Sequence, residues 1–551
     1  MISLEAALAR TLASARRTLL EARTEGHWTG ELSSSALSTA TAACALDRAG
    51  GRDELVRKAV AWLAAHPNAD GGYGDTSDSP SNVSTTVLCW AILGKLERGP
   101  AFEGTERWLR REIGEPRPEA IADVIGRRYG VDRTFSVPIL TMCALAGRFG
   151  EGPEAWRPIP RLPHELAALP RSWFPAIGLP VVSYALPALI ALGQCRDRHL
   201  PGFHPLGWMA RGRTLRVLEA IQPSSGGFLE ATPITSFVAM SLEDHPVRRK
   251  ALDFLARSAR PDGSWPIDAN LATWVTTLSV QALGEAPAGL REWLLRQQTK
   301  AEHPYTGAAP GGWAWTDLPG GVPDADDTPG ALLALSLLPP DDEVRAAAAR
   351  GVRWLLDLQN RDGGIPTFCR GWGKMPFDRS SPDLTAHAIR AWRAWAAPPE
   401  ALARAFRYLA RSQRGDGSWI PLWFGNQRAP EQENPVYGTS RVLRCANLSE
   451  DPDWRSAAGR GRTWLLRAQN PDGGWGGAPG VESTVEETAL AVEALGPGPE
   501  AERGARWLAE RTEEGTRFPP SPIGLYFAKL WYSERLYPII FSVAALRRLL
   551  G

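Results

Sequence analysis

The sequence predicts an all-α protein of repeated helix pairs, and three observations carry that expectation. A glycine-rich turn, usually closed by an aromatic residue, recurs as NADGGY (68–73), PSSGGF (223–228), RPDGSW (260–265), PGGWAW (310–315), NRDGGI (360–365), RGDGSW (414–419) and NPDGGW (470–475). In the second half the preceding segments end in Trp293-Leu-Leu, Trp354-Leu-Leu, Tyr408-Leu-Ala and Trp464-Leu-Leu. After the turns come stretches with small and apolar residues at helical spacing: TWVTTLSVQAL, DDTPGALLALSL, LTAHAIRAW, GTSRVLRC and EETALAVEAL. Period-two alternation is nearly absent. The unit is therefore helix, turn, helix, repeating at ~55 residues. Such pairs close into α/α toroids or stack as solenoids. Asp-Gly suits a tight turn because glycine supplies positive φ, and Trp265, Trp419 and Trp475 read most simply as ties between helix ends.

The N-terminal stretch MISLEAALARTLASARRTLL is broken by Glu5 and several arginines, so it reads as an amphipathic helix and not as a signal peptide. The six cysteines (Cys44, Cys89, Cys143, Cys195, Cys369, Cys445) stand singly, which argues against structural zinc and a disulfide framework. They fit a reducing compartment, so a cytoplasmic location is expected. At 551 residues the chain is long for one core, and two domains are the natural prior. Lys+Arg at 62 against Asp+Glu at 61 gives net charge +1, which leaves no electrostatic case for nucleic acid. The run Phe174–Gly193 is about long enough to span a bilayer. Pro175, Pro180 and Pro187 interrupt it, so buried helices are the expectation there. The unusual figure is 23 Trp against 9 Tyr. Something in this chain uses indole rings.

The repeat does not explain Pro323-Asp324-Ala325-Asp326-Asp327-Thr328, where three carboxylates crowd beside Trp313 and Trp315. Like charges this close cannot all ionise, so at least one proton should stay on the group at neutral pH. A helix cap or a Ca²⁺/Mg²⁺ site is the competing explanation. A cap needs one carboxylate, and no glycine-spaced calcium loop surrounds these three. An acid is the favoured reading.

At this point the residues become recognisable. The W-L-L-x-x-Q-N-x-D-G-G-W units resemble the QW motifs of squalene–hopene and oxidosqualene cyclases, and PGGWAW…PDADDT resembles the D-x-D-D-T acid motif of the bacterial branch. The resemblance runs from GHWTGELSS (26–34) to the aromatic C-terminal stretch. It implies two α/α barrels with a cavity between them: an N-terminal helix (1–20) packed on the C-terminal barrel, a first barrel over 21–255, and a second over 256–551 carrying the acid motif. It further implies a cofactor-free, metal-free enzyme that protonates a terminal alkene of squalene or a similar linear polyprene and guides cationic cyclisation to a hopene-like polycycle. Peripheral contact with the inner face of the cell membrane is part of that expectation, and a homodimer stays open.

Carried over residue by residue, the resemblance makes Asp326 the proton donor, crowded by Asp324 and Asp327, and makes His387 of SPDLTAHAIRAW the cationic partner that strengthens it. Trp315 matches the family's mid-cavity phenylalanine and Trp274 a cavity tryptophan, while Tyr184 stands where the family usually has Trp. Trp423 and Tyr437 match the W…Y-G-T element supporting the acid, with NQRAPEQENP inserted between them. Phe518, Tyr526, Phe527 and Trp531 resemble the wall facing the late cation. Phe368 and Cys369 match the channel constriction, with a mid-cavity role for Phe368 as the other reading. For any one of these aromatics, plain core packing is an equally good explanation.

The family's strongly apolar membrane helix should follow FLEATPITSFVAMSL, but SLEDHPVRRK turns charged at once, so a reduced membrane patch is expected. A protein prenyltransferase β-subunit needs a D-x-C zinc context that no cysteine here has. An ionisation-initiated synthase needs D-D-x-x-D, which Asp341-Asp342-Glu343-Val344-Arg345 fails. A class II diphosphate cyclase using the same acid stays open, as does a non-catalytic lipid-binding scaffold.

Overall fold

The computed structural model describes residues 4–130, 133–200, 202, 204–304, 306–525 and 529–551. In its second half six helices follow one another around a closed ring: Ala272–Leu283, Asp327–Leu335, Pro382–Ala394, Pro435–Leu443, Val485–Leu495 and Tyr537–Leu550, the last packing back on the first. These are nearly all-round buried, as inner helices must be. Outside them run amphipathic partners, including Asp342–Leu358, Pro399–Ser412, Pro452–Arg467 and Pro499–Arg511, each with one buried stripe. The N-terminal helix Leu4–Glu21 completes the outer layer by packing on Tyr537–Leu550 and Pro499–Arg511. It buries Leu8, Ala15 and Leu19 there. Arg10 pairs with Glu514 at 2.9 Å across the seam.

The first half closes a smaller ring of five inner helices: Ala36–Ala49, Val83–Leu96, Arg133–Leu145, Val182–His199 and Thr232–Ser241, which returns to Ala36–Ala49. Both halves are thus α/α barrels, each with its own core. The sequence reading places everything from residue 21 in the first barrel, but Trp28 and Leu32 are buried in the core of the second. Trp28 donates its backbone N–H to Thr276 Oγ1 at 2.9 Å, so the chain leaves the second barrel later than expected. Of the Phe174–Gly193 run, Val182–His199 is a buried helix despite Pro187. Among the described residues no helix is long and apolar enough to cross a membrane.

The repeated turn is held by the same atoms each time. In the turns at 263, 417 and 473 the glycine has φ of 90°, 100° and 94°, which only glycine adopts at little cost. The Asp before it accepts the backbone N–H two residues on, as Asp416 does from Ser418 at 2.9 Å. The Trp backbone N–H goes to a threonine of the next inner helix: Trp265 to Thr39, Trp313 to Thr328, Trp419 to Thr439 and Trp475 to Thr488. Its indole N–H goes back to the outer helix: Trp265 to Leu255 O, Trp419 to Leu409 O and Trp475 to Leu465 O, at 2.8–2.9 Å. The glutamine of W-L-L-x-x-Q bridges turn and following outer helix, as Gln413 does to Gly417 O and Ala457 O, both at 2.8 Å. The turn tryptophans are ties, as the sequence suggests.

Candidate active site

The turn PGGWAW and the loop after it deliver the Asp cluster to the N-terminus of the inner helix Asp327–Leu335. Its three carboxyls are not equivalent. Asp324 Oδ1 accepts the backbone N–H groups of Asp326 at 2.9 Å and Asp327 at 2.7 Å, so Asp324 caps the helix start. Asp327 is buried and hydrogen-bonded to Asp324 through its carboxyl, with its Oδ1 left unpartnered. Asp326 alone of the three retains accessible surface, and its carboxyl makes no hydrogen bond among the described residues. Burial pushes Asp324 up to about 7. Burial and then the neighbouring carboxylates push Asp326 and Asp327 well above the ordinary range. The group therefore holds protons at neutral pH, and Asp326 is the carboxyl free to release one.

Helix Pro382–Ala394 brings His387 against this start: a Cβ added at Gly330 would lie 3.6 Å from His387 Cε1. No hydrogen bond links His387 to Asp326, and His387 Nε2 has no partner among the described residues. Burial, and then the guanidinium groups of Arg390, Arg441 and Arg444, hold the imidazole well below its usual range. One helical turn before it, buried Asp383 accepts from Ser381 Oγ. Asp383 raises Asp326 by its charge, and burial in turn raises Asp383. The sequence reading missed it. The Asp-x-x-x-His spacing within PDLTAH, which puts both on one helix face, is the signal that finds it.

Two aromatic groups lie beside the acid. Trp274 is edge-on to His387 with centroids 6.2 Å apart, stacks on Phe424 at 6.0 Å, and Phe424 stacks on Tyr437 at 4.8 Å. Next along the chain Trp423 stands edge-on to Phe368 at 5.7 Å and donates its indole N–H to Thr367. Tyr184 stacks on Phe377 at 5.2 Å, and Trp315 meets Phe368 at 6.4 Å. Trp315 Nε1 has no hydrogen-bond partner among the described residues. Phe377 and Phe424, unassigned from sequence, are the rings that join the expected ones. Cys369 follows Phe368 into this group, both backbone N–H groups donating to Phe377 O. Burial pushes the Cys369 thiol up to about 12, so it is an inert, neutral wall.

The C-terminal candidates separate. Phe518 packs on the second core, away from these ring contacts. Trp531 lines a different cavity of about 330 Å³ between the barrels, with Trp108 and Arg128 from one side and Gln427 from the other. Its backbone N–H donates to Asp75 Oδ2 at 3.0 Å. Strand alternation turns the next residue, Tyr532, to the opposite side, where it is buried and shares a hydrogen bond with the Tyr537 hydroxyl at 3.2 Å. Tyr526 and Phe527 lie outside the described residues.

Paired α/α barrels with a crowded, buried carboxyl cluster among stacked rings are the architecture and the site that the resemblance to squalene–hopene cyclases implies. The family model of the squalene–hopene cyclase C-terminal domain matches residues 268–550 and that of the N-terminal domain residues 12–114, and the chain belongs to this family. A probable squalene–hopene cyclase of Sinorhizobium fredii is 25% identical over 93% of this chain and 91% of its own length. A terpene cyclase–glycosyl transferase fusion protein of Humicola fuscoatra is 25% identical over 96% of the chain, which spans 48% of it. Drimenyl diphosphate synthase of Streptomyces showdoensis is 32% identical over 56% of the chain and 57% of its own length. The chain thus spans about half the length of these last two relatives. The solved ent-copalyl diphosphate synthase from Streptomyces platensis has the same fold, with TM-score 0.58 at 19% identity over 99% of both chains.

Proposed function

We propose that this chain cyclises squalene or a similar linear polyprene by protonating its terminal alkene at Asp326. The observation that carries the reading is the division of labour within the cluster: Asp324 is spent on the helix cap, Asp327 is buried, and Asp326 is accessible and unbonded. The Asp326 O–H proton moves to the terminal alkene carbon, the π pair forms the new C–H bond, and a carboxylate and a tertiary carbocation remain. The next alkene attacks that cation and closes a ring, and the sequence ends with loss of a proton or capture of water. Trp274, Phe424, Tyr437, Trp423 and Phe368 offer ring faces to the moving charge, each worth about 1–2 kcal/mol when desolvated. None of these steps draws on a cofactor.

The test is purified protein with squalene in detergent, read by gas chromatography–mass spectrometry. A cyclised product is expected from the wild type and none from Asp326→Asn, a near-isosteric change that deletes the acid. Product formation by Asp326→Asn would defeat the assignment.

A second reading, cyclisation of a prenyl diphosphate, is favoured by one observation. The cavity of about 330 Å³ holds Arg128, whose Nε has no partner, and Gln427, whose Nε2 has none, donors suited to an anionic head group. The drimenyl diphosphate synthase relative points the same way. Turnover of farnesyl or geranylgeranyl diphosphate, with squalene untouched, would establish it.

Lipid contact is the third part of the reading. The exposed apolar side chains are not where the family's membrane helix would be but at Trp173 (56% exposed), Ile177, Leu206, Trp208 (80%), Met209, Trp372 (61%) and Met375. The Trp372 indole packs against Gly178, which joins two of these loops just beyond Phe368 and Cys369. Arg213, Arg216, Arg370 and Lys374 stand exposed among them, a basic and aromatic surface suited to an anionic bilayer on the cytoplasmic side.

A further inference from the structure

The first-barrel turn PSSGGF leads into Leu229 and Glu230, which stand one after the other at φ 56° and 55°. That left-handed region disfavours side chains other than glycine, so two such residues in succession mark a segment that its surroundings hold in place. Glu230 is fully buried. Its Oε1 accepts two hydrogen bonds, from Ser225 Oγ at 2.6 Å and from the backbone N–H of Gly320 at 2.7 Å. Its Oε2 has no partner among the described residues. Burying a carboxyl this way costs stability, and the turn itself does not need one. Ser225 already closes the turn by accepting the Gly227 N–H at 3.2 Å. In the turns at 260–265, 414–419 and 470–475 the matching position holds Ile267, Pro421 and Gly477.

What Glu230 reaches is the segment that delivers the acid. Gly320 lies in the second barrel, on the loop that runs through Val322 and Pro323 into Asp324. A Cβ added at Gly320 would lie 2.6 Å from Glu230 Oε1 and 2.9 Å from Gly227 O, so only glycine lets the loop come this close. From Gly320 to Ala325 the loop is buried. Its later anchors belong to the second barrel: the Asp324 N–H donates to Trp313 O at 3.0 Å and the Ala325 N–H to Thr367 O at 2.9 Å. Asp324 then takes the N–H groups of Asp326 and Asp327. The acid-bearing loop is thus pinned at its start by one barrel and at its end by the other.

We propose that Glu230 is a positioning residue for the acid: reaching across from the first barrel, its carboxyl holds Gly320 and so fixes where the loop sets down Asp326. Its carboxyl bonds to Ser225 and Gly320 and acts on Asp326 through the backbone between Gly320 and Asp324. The junction between the barrels then does more than join them, because the first barrel helps to aim a proton that the second one carries. This rests on Asp326 being the acid. An amide at position 230 would keep the oxygen that accepts from Gly320, whereas a methyl group would not.

The experiment compares Glu230→Ala, Glu230→Gln, Ser225→Ala and Gly320→Ala with the wild type, on whichever of squalene or a prenyl diphosphate the wild type turns over. In Glu230→Ala, kcat should fall about 10- to 100-fold with KM unchanged, the scale of a reacting group displaced by about 1 Å. The solvent deuterium isotope effect on kcat should rise, because transfer of the exchangeable Asp326 proton becomes the slow step. Glu230→Gln should restore most of the rate. Ser225→Ala removes the other hydrogen bond to Oε1 and leaves Gly320 held, so it should lower the melting temperature without lowering kcat. Gly320→Ala parts the same contact from the other side and should repeat the loss seen in Glu230→Ala. Wild-type kcat in Glu230→Ala, an equal fall in Ser225→Ala, no rescue by Gln, or an unmoved isotope effect would each overturn the proposal. Should Glu230→Ala not fold, Gly320→Ala decides by the same readouts, and failure of both to fold would make the contact structural and overturn it too. Asp326→Asn separates the two claims. If it is inactive while Glu230→Ala behaves as wild type, only the role of Glu230 falls. If it is active, the acid assignment falls first.

Discussion

A carboxylate taken from water into a protein interior loses several kcal/mol of hydration, and at 324–327 three of them share that environment with only backbone N–H groups and one another as partners. The economical response is protonation, and this links the site to stability. Because the folded state holds protons that the unfolded chain releases near pH 4, folding binds protons and stability falls as pH rises from that range toward the cluster's own, where Asp324 sits at about 7. Asp326→Asn removes one of these protonation sites without removing volume. Its melting temperature should exceed that of the wild type by a margin that widens between pH 4.5 and 8, as scanning fluorimetry would measure. A constant or shrinking margin would mean that Asp326 is ionised in the folded protein. Much of this site was legible beforehand, since crowding of like charge is visible in one line of sequence. The division among the three was not, because whether Asp324 or Asp326 caps the helix depends on a backbone turn. Phe377 and Phe424 were missed because their ring partners come from distant segments and no local spacing announces them, and Asp383 because its i, i+4 spacing to His387 reads equally well as an ordinary helix face.

The helix pair with its turn is the element that repeats, and each turn tryptophan makes two hydrogen bonds that fix one inner and one outer helix together. Trp419→Phe keeps most of the buried ring and removes the indole N–H, leaving Leu409 O without that donor. The expected cost is about 1–3 kcal/mol of stability, with product profile unchanged, since Trp419 sits at the rim of the barrel and not in the ring group beside Asp326. A changed product ratio at unchanged melting temperature would reassign it to the cavity. At this scale the sequence was most readable. Turn, tie and helix face all repeat, so a weak local signal was read several times over. The exceptions are informative. The strand Phe424–Gly425 pairs with Ile523–Leu525, far along the chain, so no local motif marks that pairing, and the neighbouring antiparallel pair Ile523–Leu525 and Leu530–Tyr532 lacks the alternation that would have announced it. Strand alternation then sends Trp531 and Tyr532 to opposite faces.

On the scale of the whole molecule, the exposed Trp173, Trp208 and Trp372 lie on three separate segments, so no single stretch of sequence displays them together as one membrane helix would. Replacing Trp173 and Trp208 with serine should abolish co-sedimentation with vesicles containing phosphatidylglycerol while leaving turnover of detergent-dispersed substrate within about twofold, because exposed positions contribute little to the fold. Undiminished vesicle binding would show that lipid contact is made elsewhere. The outer position taken by the first helix has a different consequence, one of timing. Arg10 meets a partner 504 residues later. At ribosomal speeds of 5–20 residues per second, that partner is made about 25–100 s after Arg10. The five inner helices of the first barrel pack on one another and have time to close during that interval. Through it, the helix that will seal the second barrel waits outside with Leu8 and Leu19 bare, and anything that shortens the wait or shields those leucines should raise the yield of folded protein more than any single stabilising substitution.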